Sequence, residues 1–245
     1  MRYLTETTPR TPMNNYIDDP RILHGMQKQL ILRRERLNAG EKHIGWKVGF
    51  GAPASLERLQ LTRPLIGFLT DRIILPSNAA VSLAGWTKPA MEPEVAVYLG
   101  SDLPGGSDRE TTRASIAALG PAIELADVHF PPDDVQAILA GNIYNRHVIL
   151  GRADTSRATC VLAGLVGRVA RNAKDLPPVT ELQSITGGFV ELVTHVADTL
   201  SMFGETLRAG DVIITGSLLP PLWVEAGESI EYTLEPVDSL SINFA

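Results

Sequence analysis

Acidic side chains recur at strand spacing in residues 91–99, an otherwise mostly apolar part of the sequence. Glu92 and Glu94 are separated by one residue, so on a β-strand both carboxylates would point to the same face. Their Cα atoms would then lie about 6.5 to 7 Å apart, close enough for both carboxylates to bind one cation. Taken alone, an ordinary solvated strand face is the simpler interpretation of this pair.

A third acid, Glu124, interrupts the apolar run at residues 121–127. A carboxylate in such surroundings must be ion-paired, protonated or bound to a metal, because an isolated charge is costly to bury. A salt bridge to a core-facing arginine is the alternative to a metal. Three carboxylates without a histidine would favour Mg²⁺ or Mn²⁺ over zinc.

Lys47 lies within residues 44–50, which otherwise read as a buried strand. Lysine is rarely buried without a partner. Beside carboxylates it could hold a substrate carboxylate or move a proton, and the alternative is an ammonium group that reaches solvent. The segment Thr215-Gly216-Ser217 follows another apolar run. Its hydroxyls and free amides are suited to binding an anion, although many strands end in such residues.

The elements that must position these side chains are a helix and then mostly strands. Asp19 followed by Pro20 predicts a helix start, and we expect the arginines of that helix (Arg33, Arg34 and Arg36) to form a solvated face. Further helices are expected at residues 107–119, with a capping box from Ser107 to Glu110, at 133–139 and at 189–203. Strands are expected at residues 44–50, 72–75, 91–99, 122–128, 147–150, 211–215, 229–234 and 239–244.

Strands and helices do not alternate regularly, so a doubly wound parallel sheet is a poor fit. The pattern predicts an α+β fold in which an N-terminal helical segment precedes a mixed, strand-rich body. We expect an N-terminal arm and helix at residues 1–43 and a catalytic domain at residues 44–245.

Composition excludes several classes of protein. The chain has 245 residues, of which 44% are hydrophobic, so it can bury the core of one large domain. Its net charge of −6 argues against a nucleic-acid partner, and no apolar run is long enough to cross a membrane. One cysteine excludes an internal disulfide, and the N-terminus lacks a signal-peptide pattern, so we expect a cytoplasmic protein. P-loop, Rossmann, nucleophile-elbow and His-Glu-x-x-His motifs are all absent.

Four segments resemble, in sequence order, the 2-keto-4-pentenoate hydratase and 4-oxalocrotonate decarboxylase group of the fumarylacetoacetate hydrolase superfamily. They are Gly45-Trp46-Lys47-Val48-Gly49, Glu92-x-Glu94, Pro121-Ala122-Ile123-Glu124 and Leu207-Arg208-Ala209-Gly210-Asp211-Val212-Ile213-Ile214-Thr215-Gly216. Each segment is a weak signal alone, whereas all four in this order are a strong one.

The resemblance implies strongly bent mixed sheets, a homo-oligomer and a small 2-oxo acid substrate. It also implies that Glu92, Glu94 and Glu124 bind Mg²⁺ or Mn²⁺, and that Lys47 is a proton shuttle or carboxylate clamp. Thr215, Gly216 and Ser217 would form the distal wall of the substrate site. With three ionised glutamates the ion would carry one net negative charge, which Lys47 would neutralise.

The leading hypothesis is a metal-dependent lyase that hydrates a 2-hydroxy-2,4-dienoate or its 2-oxo-4-enoate tautomer, as in aromatic catabolism. A decarboxylase of a 4-oxalocrotonate-like diacid is the close alternative, and a non-catalytic assembly subunit is another. Hydrolysis of an acylpyruvate is disfavoured, because the catalytic histidine and glutamate of those relatives have no clear counterpart.

The sequence also departs from the family pattern. Leu65 stands where hydratases of the family commonly have an aspartate, and residues 67–71 look more like the decarboxylase branch. Asp71 could replace that acid or simply cap a turn. Asp127 and His129, in a segment that differs from the family's Asp-Ser-Arg, lie where we expect substrate selectivity to be set.

Overall fold

The computed structural model describes residues 14–245, and the part of the predicted polar arm before residue 14 lies outside the described residues. The helices are α1 (Asn14–Ile17), α2 (Pro20–Asn38), α3 (Pro53–Leu59), α4 (Arg109–Ser115), α5 (Val135–Ala140) and α6 (Phe189–Met202). The strands are β1 (His43–Gly49), β2 (Leu65–Thr70), β3 (Ala79–Val81), β4 (Pro89–Leu99), β5 (Ile116–Asp127), β6 (Asn145–Leu150), β7 (Val166–Arg171), β8 (Lys174–Asp175), β9 (Val212–Ser217), β10 (Leu222–Trp223), β11 (Ser229–Glu235) and β12 (Asp238–Phe244).

Seven strands form a curled mixed sheet in the order β2-β1-β9-β4-β5-β6, with β10 also paired to β4. Among the described strand pairs of this sheet, β1 and β9 alone run parallel. The curl brings the segment that follows β2 close to β6 at the other edge. The amide of Leu75, in that segment, donates to Val148 O of β6 at 2.9 Å. A second sheet has the order β3-β12-β11-β7-β8. This architecture confirms the predicted α+β fold with a strongly bent sheet.

The two faces of the seven-stranded sheet are buried differently. One face carries large apolar side chains such as Val95, Val97 and Ile213, which pack with α6 and the second sheet in the main core. The other face carries a smaller cluster that includes Ala96 and Ile214. Because side chains alternate along a strand, the residues next to Val95 in β4 point away from the main core. This second face is where the predicted acids lie.

Helix α2 packs against α5 and against the edge strand β2. It begins as predicted, because the Asp19 carboxylate accepts the amide of Arg21 and proline occupies the first turn. Its buried Gln29 side chain donates to Ile66 O at 3.0 Å and to Leu139 O at 2.9 Å. One amide therefore ties α2 to both β2 and α5.

Arg33 departs from the expected solvated arginine face of α2. Its side chain is buried, with the guanidinium carbon 5.0 Å from the centre of the Trp46 ring. The same group pairs with Glu205 at 3.2 Å. The prediction is therefore wrong for Arg33, because an aromatic face and a carboxylate together stabilise the buried cation.

Two predicted elements are corrected by strand pairing. The predicted helix 107–119 is α4 only as far as Ser115, because Ile116 pairs with Leu99 of β4 and starts β5. The N-cap of α4 is Asp108 and not the predicted Ser107. The Asp108 carboxylate accepts Thr111 N at 2.7 Å. The predicted strand 72–75 is a short 3-10 turn instead, and the neighbouring strand is the fully buried β2, which shows no alternation.

The predicted domain boundary between residues 43 and 44 falls at the start of β1. The division into an N-terminal arm with its helix and a catalytic domain stays a prediction. Among residues 14–245, none of the helices is both long enough and apolar enough to span a bilayer.

His195 of α6 gives the fold a predictable pH dependence. Its buried ring donates from Nε2 to Pro64 O at 2.9 Å, and burial lowers its pKa to about 4. Between pH 6.5 and 4 the unfolded chain therefore binds a proton that the folded chain does not. We expect the free energy of unfolding to fall by about 3 kcal/mol over this window and to be unaffected by His195 above it.

Urea unfolding of the wild type and of His195→Gln at pH 7.5, 6 and 4.5 measures this contribution. Glutamine keeps an amide donor and does not titrate, so its stability should decline less on acidification. Equal declines in the two proteins would contradict the assignment of the pH dependence to His195.

Candidate metal centre

The three predicted acids meet on the second face of the curled sheet. Glu92 of β4 lies directly opposite Glu124 of β5, and Glu94 lies two residues further along β4. Residues in a cross-strand pair share a face, as do residues two apart on one strand. One carboxylate oxygen from each acid lies within 4.8 Å of the other two. Neighbouring strands thus bring three carboxylates to one point.

Lys47 of β1 reaches the same point. Its side chain is buried, and its ammonium group donates to Glu124 Oε1 and, at 3.2 Å, to Ile143 O. Lys47 therefore does not extend into solvent, and the ion-pair partner of Glu124 is this lysine and not an arginine. Gly67, opposite Lys47 on β2, leaves room for the lysine chain, since a Cβ there would lie 2.8 Å from Lys47 Cγ.

Two carboxylate oxygens at this centre have no hydrogen-bond partner among the described residues. They are Glu94 Oε1 and Glu124 Oε2, both buried. The other oxygen of Glu94 accepts Gly216 N at 2.7 Å, and Glu124 Oε1 also accepts Asn145 Nδ2 at 2.8 Å. A buried acceptor without a partner is unfavourable. Oxygens of this kind, with no histidine or cysteine beside them, fit a hard divalent cation.

Burial and mutual repulsion disfavour the charged forms of Glu92 and Glu94. Burial raises the pKa of Glu92 to about 7, with a further contribution from the charge of Glu124 that Lys47 opposes. Burial also raises the pKa of Glu94 well above its usual value, and Glu124 and Glu92 raise it further. A cation that entered the centre would therefore displace protons, so its affinity would rise with pH.

The three residues at the end of β9 have different surroundings. Thr215 points away from the acids, because Ile214 faces them, and its buried hydroxyl donates to Val95 O at 3.0 Å. Thr215 also does not line the adjoining cavity, so it departs from the substrate contact expected of it. Gly216 and Ser217 do line the cavity, and the Ser217 hydroxyl is buried without a partner among the described residues.

The carbonyl that Lys47 binds belongs to Ile143, which lies in a run of three residues with left-handed backbone. Asn142, Ile143 and Tyr144 have φ values of 56°, 54° and 59°. This conformation is strained for a β-branched residue such as Ile143. Asn142 holds the run in place, since its side chain accepts Phe68 N at 2.8 Å and donates to Phe68 O at 2.9 Å. Sequence reasoning missed Asn145, which carries no motif of its own, and did not predict that Ile143 offers its carbonyl to Lys47.

A cavity of about 690 Å³ opens beside the centre. Lys47, Glu92 and Ser217 line it, and most of the remaining wall is apolar. Thr186, which sequence reasoning also missed, lines it with a buried hydroxyl that has no partner among the described residues. A Cβ on Gly216 would lie 2.8 Å from Thr186 Cγ2, so this wall requires glycine at that position.

Leu65, Asp71, Asp127 and His129 lie outside the cavity lining. Asp71 is exposed and accepts Lys42 N at 2.8 Å, which is the turn-capping alternative. Asp127 is buried and accepts the amides of Thr87 and Lys88, so it anchors a loop. His129 is exposed and contacts Asp127 O at 2.9 Å. Leu65 is a core residue at the start of β2.

The chain is similar to known proteins in both sequence and fold. The model of the fumarylacetoacetate (FAA) hydrolase C-terminal family matches residues 48–242. A 2-hydroxyhexa-2,4-dienoate hydratase from Comamonas testosteroni is 33% identical over 221 residues, which cover 88% of this chain and 83% of that protein. A 2-keto-4-pentenoate hydratase from Paraburkholderia xenovorans (strain LB400) is 24% identical, covering 96% of this chain and 88% of that protein.

A solved structure of 4-oxalocrotonate decarboxylase from Pseudomonas putida G7, complexed with calcium and acetate, superimposes with a TM-score of 0.80. It is 25% identical, and the match covers 89% of this chain and 83% of that one. The chain belongs to the fumarylacetoacetate hydrolase family. The resemblance to its hydratase and decarboxylase group is confirmed, and the relatives that it matches are enzymes by name.

Proposed function

We propose that the chain is a divalent-metal-dependent lyase that hydrates a 2-hydroxy-2,4-dienoate or its 2-oxo-4-enoate tautomer. The observation that carries the proposal is the meeting of Glu92, Glu94 and Glu124, two with unpartnered oxygens, beside Lys47 in the wall of a cavity. The hydratase from Comamonas testosteroni supports the choice of reaction.

In this proposal the three glutamates hold Mg²⁺ or Mn²⁺. When bound, the cation would supply Lewis-acid stabilisation of the negative charge that develops on the 2-oxo group of the substrate. Glu94 would bind through Oε1, because Gly216 N already occupies its other oxygen. Glu124 would bind through Oε2 for the same reason, since Lys47 and Asn145 occupy Oε1.

Lys47 is the proposed proton carrier. Hydration adds a proton at carbon 5 of the dienoate and the hydroxyl of water at carbon 4. Lys47 lines the cavity, and its contacts with Glu124 and Ile143 O fix the position of its ammonium group. It can therefore donate a proton to carbon 5 of a substrate held at the centre and recover one from the water whose hydroxyl adds at carbon 4. The free hydroxyls of Ser217 and Thr186 are suited to donate hydrogen bonds to the substrate carboxylate.

A 4-oxalocrotonate-like decarboxylase is the second candidate. Its support is the similarity to the decarboxylase structure, together with Arg58 and Lys88, two cations on the cavity wall that could bind a second carboxylate. We rank it second because the Lys88 ammonium already lies 4.0 Å from the centre of the Trp223 ring. A non-catalytic subunit is disfavoured, because an assembly role does not need three clustered acids, two of them with unpartnered buried oxygens.

The test uses the purified chain after treatment with EDTA and after addition of Mg²⁺ or Mn²⁺. We expect the absorbance of 2-hydroxypenta-2,4-dienoate to decay only with the metal, with ¹⁸O from labelled water in the product. Release of CO₂ from 4-oxalocrotonate without hydration of the dienoate would support the decarboxylase instead. Absence of turnover, with no Mn²⁺ binding in calorimetry, would refute both and leave the assembly subunit.

We also propose that the enzyme acts in aromatic catabolism and works as a homo-oligomer. Dienoates of this class are products of aromatic ring cleavage, and the family resemblance implies the oligomer. Light scattering on the purified chain measures the number of subunits directly.

A further inference from the structure

We propose that the natural substrate carries an apolar substituent larger than a methyl group beyond its dienoate. This inference rests on the proposed function and names the class of acid. Its basis is the size of the cavity, about 690 Å³, which lies in the range of pockets that bind drug-sized ligands. At about 30 Å³ per heavy atom, the volume share of a water molecule, a six-carbon dienoate would fill less than half of it.

The cavity wall beyond the metal centre is apolar. It is formed by the start of α3 and the segment before it, by the turn that precedes β10 and by residues after β5. Its apolar side chains include Phe50, Ala54, Val128, Leu219, Pro221 and Trp223. Burial of an apolar group against such a wall is favourable by about 0.8 kcal/mol for each methylene. A five- or six-carbon acid would leave most of this surface in contact with water.

The charged residues of the wall are poorly placed to make it a diacid site. Apart from Lys47, the cations among the described lining residues are Arg58 and Lys88, and both are exposed. The Lys88 ammonium lies over the Trp223 ring, so this cation already has an aromatic partner. A second carboxylate in the apolar part of the cavity would lose its hydration without gaining a buried cation.

The experiment compares 2-hydroxy-2,4-dienoates that carry hydrogen, methyl, propyl, pentyl or phenylethyl at carbon 5, with an ω-carboxyl analogue of the pentyl compound. With the Mn²⁺-loaded enzyme we expect kcat/KM to rise about fourfold for each added methylene up to pentyl. The carboxylated analogue should be at least tenfold poorer than the pentyl compound. Turnover of the short acids with no gain, or a loss, for the longer ones would overturn this inference and leave the proposed function intact. No turnover of any member would refute the proposed function itself.

A binding measurement gives a readout that does not depend on turnover. Saturated 2-oxo acids from 2-oxopentanoate to 2-oxodecanoate cannot be hydrated, so calorimetry reports their affinity alone. We expect the Kd to fall about fourfold per methylene, as for kcat/KM. A Kd that is independent of chain length would overturn the inference.

Two variants of α3 locate the effect in the cavity. Ala54→Phe adds bulk on a lining residue, so it should remove most of the gain from pentyl over methyl. Glu57→Phe adds the same side chain to an exposed residue of the same helix that does not line the cavity, so it should keep the wild-type dependence on chain length. An equal dependence in both variants would contradict binding of the substituent in this cavity, and the wild-type calorimetry decides the question if Ala54→Phe does not fold.

Discussion

Replacing Glu94 by glutamine should lower kcat/KM for metal-dependent hydration by about 10³-fold. Glu94 Oε1 is one of the two buried oxygens that have no partner among the described residues. Replacing the carboxylate by a neutral amide removes one of the three proposed anionic ligands. Calorimetry should show that Mn²⁺ binds at least about 100-fold more weakly. The amide oxygen of glutamine can still accept Gly216 N, so the loss would not come from breaking that contact.

In EDTA the same variant should be at least as stable as the wild type. Burial, and then the charges of Glu124 and Glu92, raise the pKa of Glu94, so its charged form is disfavoured and an uncharged side chain is tolerated in the metal-free protein. Glu110→Gln, an exposed position in α4, is the matched control and should leave hydration and Mn²⁺ affinity unchanged. Mn²⁺-dependent hydration at the wild-type rate in Glu94→Gln would refute the proposed centre.

Replacing Lys47 by methionine should cost both stability and hydration. Methionine is similar in length but leaves Glu124 buried without its cation partner, which should lower the free energy of unfolding in EDTA by about 3 to 5 kcal/mol. Loss of the proton carrier should lower kcat by about 10² to 10⁴-fold. Urea unfolding and the dienoate assay measure the two effects separately.

A double variant separates the structural role of Lys47 from its chemical role. Adding Glu124→Gln to Lys47→Met removes the unpaired charge, so most of the lost stability should return, while hydration stays absent. Lys174→Met, at an exposed position, is the control for the loss of a lysine. If Lys47→Met retained the wild-type kcat, the proposed proton carrier would be another residue.

The part of the site that the sequence predicted depends on local geometry. The side-chain alternation of a strand places Glu92 and Glu94 on one face wherever the strand lies. The position of Glu124 opposite Glu92 depends instead on the register between β4 and β5, which the sequence does not specify. The apolar surroundings of Glu124, and then the motif resemblance, grouped it with the other two acids, whereas spacing did not.

Other parts of the site come from tertiary contacts that no local pattern encodes. The carbonyl of Ile143 reaches Lys47 only because three successive residues adopt left-handed backbone that Asn142 holds against β2. At Thr215 the local pattern was misleading. Its hydroxyl is suited to an anion site, but the alternation of side chains along β9 points it away from the acids, toward Val95 O. Helix α4 ends early for a similar reason, because pairing of Ile116 with Leu99 overrides a helical pattern.

The alignment of Glu92 with Glu124 links ion binding to the correct assembly of the sheet. A shift of β5 by one residue along β4 would turn Glu124 toward the main core and break up the cluster of acids. A dication at this centre would therefore discriminate against every misaligned form of the two strands. Its presence during refolding should raise the yield of native protein, because the ion would bind the correctly aligned strands and not the misaligned ones. The ion would then select the strand register as well as take part in the chemistry.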